Sequence, residues 1–284
     1  MNLRKIIAVT AMAATLPAMA LRFGNEATDT TEINRLLTEV LAEGITDPSA
    51  RTAYVAQKFL GIPYQGHTLE GETEELTVRL DSLDCTTFVE TAMALSYTAA
   101  ERRSSWRDFV YNLERLRYRN GHIDGYPSRL HYISDWATDN IHRGNFDEVT
   151  NRIPFCDHVV RTIDYMSSHR SSYPALADSA NFAAIKNVEA GYRSHRFPCI
   201  KAMALGRREV WDALRSGDVV ALVTKMTDLD VVHMGIIIKD DAGVPHLLHA
   251  SLGDKKVTLT KGSLAEYFNR NPKMLGLRVF RLKE

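Results

Sequence analysis

The chain has 284 residues, 45% hydrophobic and 25% charged, with 35 basic residues against 35 acidic ones. This composition suits a globular protein with one sizeable core and excludes a disordered or fibrous chain. The balanced charge gives no electrostatic reason to expect nucleic acid or a strongly acidic membrane surface as partner.

Residues 1–20 stand apart from the rest. Arg4 and Lys5 make a basic start, Ile6 to Leu16 is apolar and rich in alanine, and Ala18-Met19-Ala20 follows a small-x-small pattern. Together they read as a secretory signal peptide cut after Ala20. The apolar run is too short to span a bilayer comfortably, and no later stretch approaches about 18 consecutive apolar residues, so no membrane span is expected. Residues 21–284 then form a single domain, exported to the periplasm or cell envelope. Loss of Arg4 and Lys5 leaves it with two acidic residues in excess. It keeps three cysteines, Cys85, Cys156 and Cys199, and in an oxidising compartment an odd count leaves at least one thiol unpaired. Cys156 and Cys199 could bridge, or both could be buried and inert.

Ile33, Leu36, Leu37, Val40 and Leu41 recur at helical spacing over Thr30 to Glu43, and Tyr54, Val55 and Phe59 do so over Ser49 to Leu60, where Gly61 stops the helix. Gly61 to Gly66 is rich in turn residues and carries Tyr64, either an aromatic plug against the core or part of a site. Thr77 to Leu80 alternates like a short strand. Phe88, Val89, Ala92, Met93 and Leu95 then lay an apolar stripe on a helix whose first turn holds Cys85, with Asp84 as N-cap and Thr87 and Glu90 as a second capping pair. Free N–H groups and the helix dipole at that position favour a thiolate, which is the nucleophilic form. A small buried hydrophobe is the plainer alternative for such a cysteine.

Residues 98 to 210 have helical patches at Trp106 to Tyr118, Asp157 to Ser167 and Phe182 to Ala190, and are expected to form a helical insertion. Between the first two lies Tyr126 to Trp136, with Arg129, His131, Tyr132, Ser134, Asp135 and Trp136. So many polar and aromatic side chains suit recognition of a sugar- or peptide-like ligand, or else a solvated helical face with one core tryptophan. After Asp218 the period becomes two. Val219 to Val223, Val231 to Lys239, Pro245 to Ser251, Val257 to Leu259 and Leu275 to Leu282 read as strands of a meandering antiparallel sheet. A capping box at Ser263 to Glu266 opens a short helix. Alternation places Val232, Met234, Ile236 and Ile238 on one strand face and Val231, His233, Gly235 and Ile237 on the other. The turn at Asp240 to Gly243 brings His249 alongside His233.

A capped cysteine followed about 150 residues later by two histidines on paired strands has the order of papain-like cysteine hydrolases. Gly61-Ile62-Pro63-Tyr64, Leu83-Asp84-Cys85-Thr86-Thr87-Phe88-Val89, His233-Met234-Gly235-Ile236-Ile237 and His249-Ala250-Ser251 resemble, in order, the motifs of NlpC-type cell-wall cysteine peptidases. Thr86-Thr87 stands where most members have Ser-Gly, and with the Ser128 to Trp136 run this resembles the N-acetylmuramoyl-L-alanine amidase-like branch. The resemblance implies an α+β papain-like fold with the cysteine helix packed on the C-terminal sheet. It implies Cys85 as nucleophile, His233 as base, His249 as the residue orienting it, and Tyr64 lining the site. Asp84, Arg129, His131, Tyr132, Ser134, Asp135 and Trp136 complete the expected substrate-binding set. The expected substrate is peptidoglycan or a muropeptide, cleaved at the N-acetylmuramoyl-L-alanine amide, with no cofactor or metal. Cleavage within the stem peptide at the γ-D-glutamyl bond, a zinc amidase and a non-catalytic glycan-binding module are the alternatives.

Overall fold

The computed structural model describes residues 21–283, so the expected signal peptide lies outside the described residues. Strand β1 (Leu21–Phe23) pairs in parallel with β2 (Leu76–Val78). Between them run α1 (Glu26–Ala42), capped by Asn25, and α2 (Pro48–Gln57), capped by Asp47 with proline in its first turn. Ile33, Leu36, Leu37 and Val40 form the buried stripe of α1 that their spacing predicts.

Helix α3 (Cys85–Ala100) is buried far beyond an amphipathic stripe. Every residue from Thr87 to Ser96 is buried, because α1, α2 and α4 (Trp106–Arg117) pack on one side of it and the sheet packs on the other. A helix covered all round must satisfy its polar side chains internally. Thr98 bonds the Ala94 carbonyl and accepts from Asn112. Glu90 meets Arg117 at 2.6 Å, both side chains being 2% exposed.

The segment expected to be a helical insertion supplies α5 (Ile133–His142), α6 (Tyr165–Ser168) and α7 (Ser179–Ala190), but also β3 (Phe146–Glu148), β4 (Cys156–Arg161) and β5 (His195–Lys201). The helix expected over 157–167 is strand as far as Arg161 and helix only from Tyr165. Val159 is buried while His158 and Val160 are exposed, and pairing with β5 along the whole length of β4 satisfies the backbone groups a helix would have satisfied. That pairing also settles the cysteines. Cys156 faces Ile200 and Cys199 faces Asp157 across the ladder, so the two side chains leave opposite faces and both thiols are free.

Helix α8 (Arg208–Ala213) leads to the meander β6 (Val219–Thr224), β7 (Val231–Lys239), β8 (Pro245–Ser251) and β9 (Lys256–Leu259). Helix α9 (Leu264–Arg270) and β10 (Met274–Leu282) follow. The strand order is β4-β5-β10-β6-β7-β8-β9, antiparallel throughout, with β3 also on β10. One face of this sheet joins α1 to α4 in a core containing Phe88, Met93, Met234, Ile236, Leu248 and Ala250. The other face packs Leu222, Ile237 and Leu247 against Val210 of α8 and Leu264 and Phe268 of α9. Tyr126, Tyr132, Met166, Leu176 and Ile185 make a separate small core that holds the insertion together.

Candidate active site

Asp84 places the cysteine. Its Oδ1 accepts from the backbone N–H of Thr86 at 3.0 Å and of Thr87 at 2.8 Å, and Thr87 Oγ1 accepts from the Asp84 N–H at 2.9 Å, closing a capping box. The carboxylate expected to bind substrate is thus occupied in starting the helix. Cys85 follows, half-buried. Burial pushes its thiol up to about 11 and the adjacent Asp84 charge adds to that, while the backbone N–H groups of Met234 and Thr86 and the Thr86 hydroxyl work the other way. The helix start therefore does not yield a resting thiolate, since loss of solvation outweighs the donors around the sulfur.

Met234 ties the cysteine to the sheet, because the residue before it is His233. A β-bulge in the β6–β7 pairing sits at this point: Leu222 faces His233 but Val223 faces Val231, leaving Val232 without a partner. The expected alternation is therefore broken at its first residue, and Val231 lies with Met234 in the helix-side core. His233 Nε2 lies 2.7 Å from His249 Nδ1, the rings meeting edge to face at 4.9 Å. Gly235 permits this approach, since a Cβ there would stand 2.8 Å from the Leu248 carbonyl oxygen and 3.2 Å from the His249 Cβ. Burial lowers His233 to about 3, with the His249 ring adding to the effect, and burial lowers His249 to about 4. Both imidazoles are neutral near pH 7, so one N–H is shared between them.

A cleft of about 280 Å³ opens beside the sulfur, lined by Tyr64, Glu70, Asp84, Cys85, Arg129 and His131 among others. Tyr64 is held there because its N–H bonds the Lys255 carbonyl and its segment bridges to Leu83. Arg129 is buried, with Nη2 2.8 Å from Glu70 and Nε 3.3 Å from Glu74. His131 packs on Tyr126 and its Nε2 lies 2.9 Å from the Tyr126 carbonyl.

The other four residues expected to bind substrate point elsewhere. Tyr132 donates to Glu189 at 2.7 Å and accepts from the Met166 N–H, anchoring α6 and α7. Ser134 accepts from Arg278 at 2.8 Å and its N–H bonds Asp230. Asp135 receives both Arg119 guanidinium nitrogens and the Tyr192 hydroxyl. Trp136 is 1% exposed against Phe146 and Phe280. Each is buried because a helix start at Ile133 turns this run into the core, and polar side chains that enter a core need partners. Glu70, Glu90 and Arg117, also at the cleft, were not foreseen. Glu90, five residues after Cys85 on the same helix, was visible only as a capping residue. Among the described residues, no group of three or more His, Cys, Asp and Glu is placed to hold a metal ion, and no helix is long and apolar enough to cross a membrane.

Residues 54–276 match the family model described as AmiA-like, N-acetylmuramoyl-L-alanine amidase-like. The crystal structure of an N-acetylmuramoyl-L-alanine amidase from Bacteroides uniformis is similar at 36% identity, over 84% of this chain and 99% of that one, with a TM-score of 0.77. A chain from Bacteroides fragilis whose name proposes a xylanase is 36% identical over 81% of this chain and all of that one, with a TM-score of 0.73. A Legionella pneumophila protein at 20% identity, over 91% of this chain and 96% of that one, shares the fold with a TM-score of 0.69. No curated protein matches the sequence.

Proposed function

The chain belongs to the AmiA-like, N-acetylmuramoyl-L-alanine amidase-like family, and from that premise we propose that it is an NlpC-type cysteine hydrolase of the bacterial envelope. Its substrate is peptidoglycan or a muropeptide, and the scissile bond is the amide between N-acetylmuramic acid and L-alanine. The observation that supports the mechanism is the Met234 N–H beside the Cys85 sulfur, one residue along β7 from His233, whose Nε2 lies 2.7 Å from His249 Nδ1.

With His249 Nδ1 accepting, His233 carries its proton on Nε2 and keeps a lone pair on Nδ1 for the thiol. The starting pair is a neutral thiol and a neutral imidazole. Attack on the lactyl carbonyl moves the thiol proton to His233, forms the sulfur–carbon bond and yields a tetrahedral oxyanion. His233 then returns the proton to the alanine nitrogen as the carbon–nitrogen bond breaks, leaving a muramoyl thioester on Cys85. Water, deprotonated by the same imidazole, hydrolyses the thioester and restores the thiol. The Met234 and Thr86 N–H groups that face the sulfur stabilise the charge it carries as its proton leaves.

The xylanase name of one relative raises a glycosidase reading, which needs two carboxylates free to act on one bond. The acids at this cleft are engaged: Asp84 caps α3, Glu90 holds Arg117 and Glu70 holds Arg129. Mass spectrometry of purified muropeptides after incubation with the protein tests the proposal. Free muramic acid derivatives and stem peptides beginning with L-alanine are expected. A sugar still carrying L-alanyl-D-glutamate as main product would establish the endopeptidase instead.

A further inference from the structure

A second cavity, of about 380 Å³, includes His249, Asp254, Lys261, Tyr267 and Arg270 in its lining. The Tyr267 and His249 rings meet edge to face at 5.2 Å, so this cavity reaches the His249 end of the His233–His249 pair. The two spaces carry different charge. In the Cys85 cleft both guanidinium groups are already matched, Arg117 by Glu90 and Arg129 by Glu70 and Glu74, and Asp84 adds one more carboxylate. In the second cavity, Lys261 has no ion-pair partner among the described residues. Arg270 reaches Glu266 only at 3.9 Å with both side chains exposed, and Asp254 is the one acid in the lining.

Resting on the function proposed above, we infer that the cavity beside His249 receives the acidic stem peptide, the leaving half of the substrate, while the Cys85 cleft holds the uncharged muramoyl half. Two independent arguments meet here. The alanine nitrogen must take its proton from His233, which puts the departing peptide on the histidine side of the sulfur. The carboxylates of that peptide find unpaired cations only in the second cavity, whereas the first offers no free cation and an excess of acids. The muramoyl group, whose own carboxyl is tied up in the amide and then the thioester, suits the space that contains Tyr64 and His131.

The test uses the full-length Cys85→Ala protein, so that binding is read without turnover. The probes are L-alanyl-D-glutamate and the same dipeptide with both carboxyls amidated, measured by calorimetry. The acid should bind about tenfold or more tightly than the diamide, the equivalent of one charge-assisted contact. Adding Lys261→Ala and Arg270→Ala, both exposed positions, should remove that preference, and raising the salt concentration should weaken it. Equal affinities for the two probes, or a preference that survives both substitutions, would overturn the placement. Product analysis of the wild-type protein separates the two claims. Cleavage at the muramoyl–alanine amide without a peptide preference sinks only the placement. Cleavage elsewhere with a preference that depends on Lys261 and Arg270 sinks the proposed bond and leaves an acidic-peptide site standing.

Discussion

The proposed catalytic row and the Arg129 to Trp136 run have similar composition, histidine, hydroxyl and aromatic side chains among apolar ones, and opposite fates. In the row, the cap at Asp84 sets Cys85 at the helix start, the bulge lies beside His233, and the space left by Gly235 lets His233 and His249 meet. In the run, Arg129, Leu130 and His131 reach the cleft, and Tyr132, Ser134, Asp135 and Trp136 spend their polar atoms or ring faces on neighbouring segments. The difference teaches that side-chain type does not make a site. What decides is whether the backbone leaves the polar groups unspent at an opening.

Substitution in the row should have the largest effect. Cys85→Ala should lower turnover by about 10⁴-fold or more with the circular dichroism spectrum unchanged, because it deletes a sulfur and no cap. His233→Ala should follow closely. His249→Asn should retain part of the activity, since its amide oxygen can still accept from His233 Nε2. Equal, total loss in all three would remove the distinction between base and orienting residue.

Trp136→Ala should do the reverse. It should cost about 3–5 kcal/mol of stability through a core cavity, read by urea denaturation, while kcat per folded molecule stays near wild type. A native-like melting curve with lost turnover would return Trp136 to the substrate site.

Smaller effects should mark the two polar residues of the run that do reach the cleft. Arg129→Gln should lower kcat/KM by about tenfold and leave the rate of thiol alkylation by iodoacetamide nearly unchanged. A parallel fall in alkylation would mean that Arg129 supports the row and not the substrate.

The pH dependence sharpens the contrast further. Folded His233 and His249 lie at about 3 and about 4 because burial opposes their charging, below an unfolded value of ~6.5. Their contribution to stability is present in full above that unfolded value and is lost as pH falls through it toward the folded values. The acid limb of kcat/KM should likewise lie below the ordinary histidine range. The alkylation rate should climb with pH toward the thiol value of about 11, without the plateau at neutral pH that a resting thiolate would give.

What could be read from the sequence divides along the same line. The start of α3, the hairpin carrying both histidines and the capping box of α9 each depend on neighbours within a few residues, so local pattern sufficed. The strand at β4 did not announce itself, because its partner β5 lies some forty residues away and only that ladder makes the segment extended. The raised thiol value is hidden from local pattern for a similar reason. Helix-start chemistry is local, but the burial that outweighs it depends on segments far along the chain. Glu90 and Arg117 meet across 27 residues, a pairing that no spacing rule foretells.

The most direct test is the intact mass of wild-type enzyme quenched in acid during turnover of an N-acetylmuramoyl tripeptide, L-alanyl-γ-D-glutamyl-diamino acid, followed by mapping of the adduct. An N-acetylmuramoyl group on the peptide containing Cys85, absent from Cys85→Ala, is the predicted result. An adduct that still carries L-alanine and D-glutamate, or full turnover by Cys85→Ala, would contradict it.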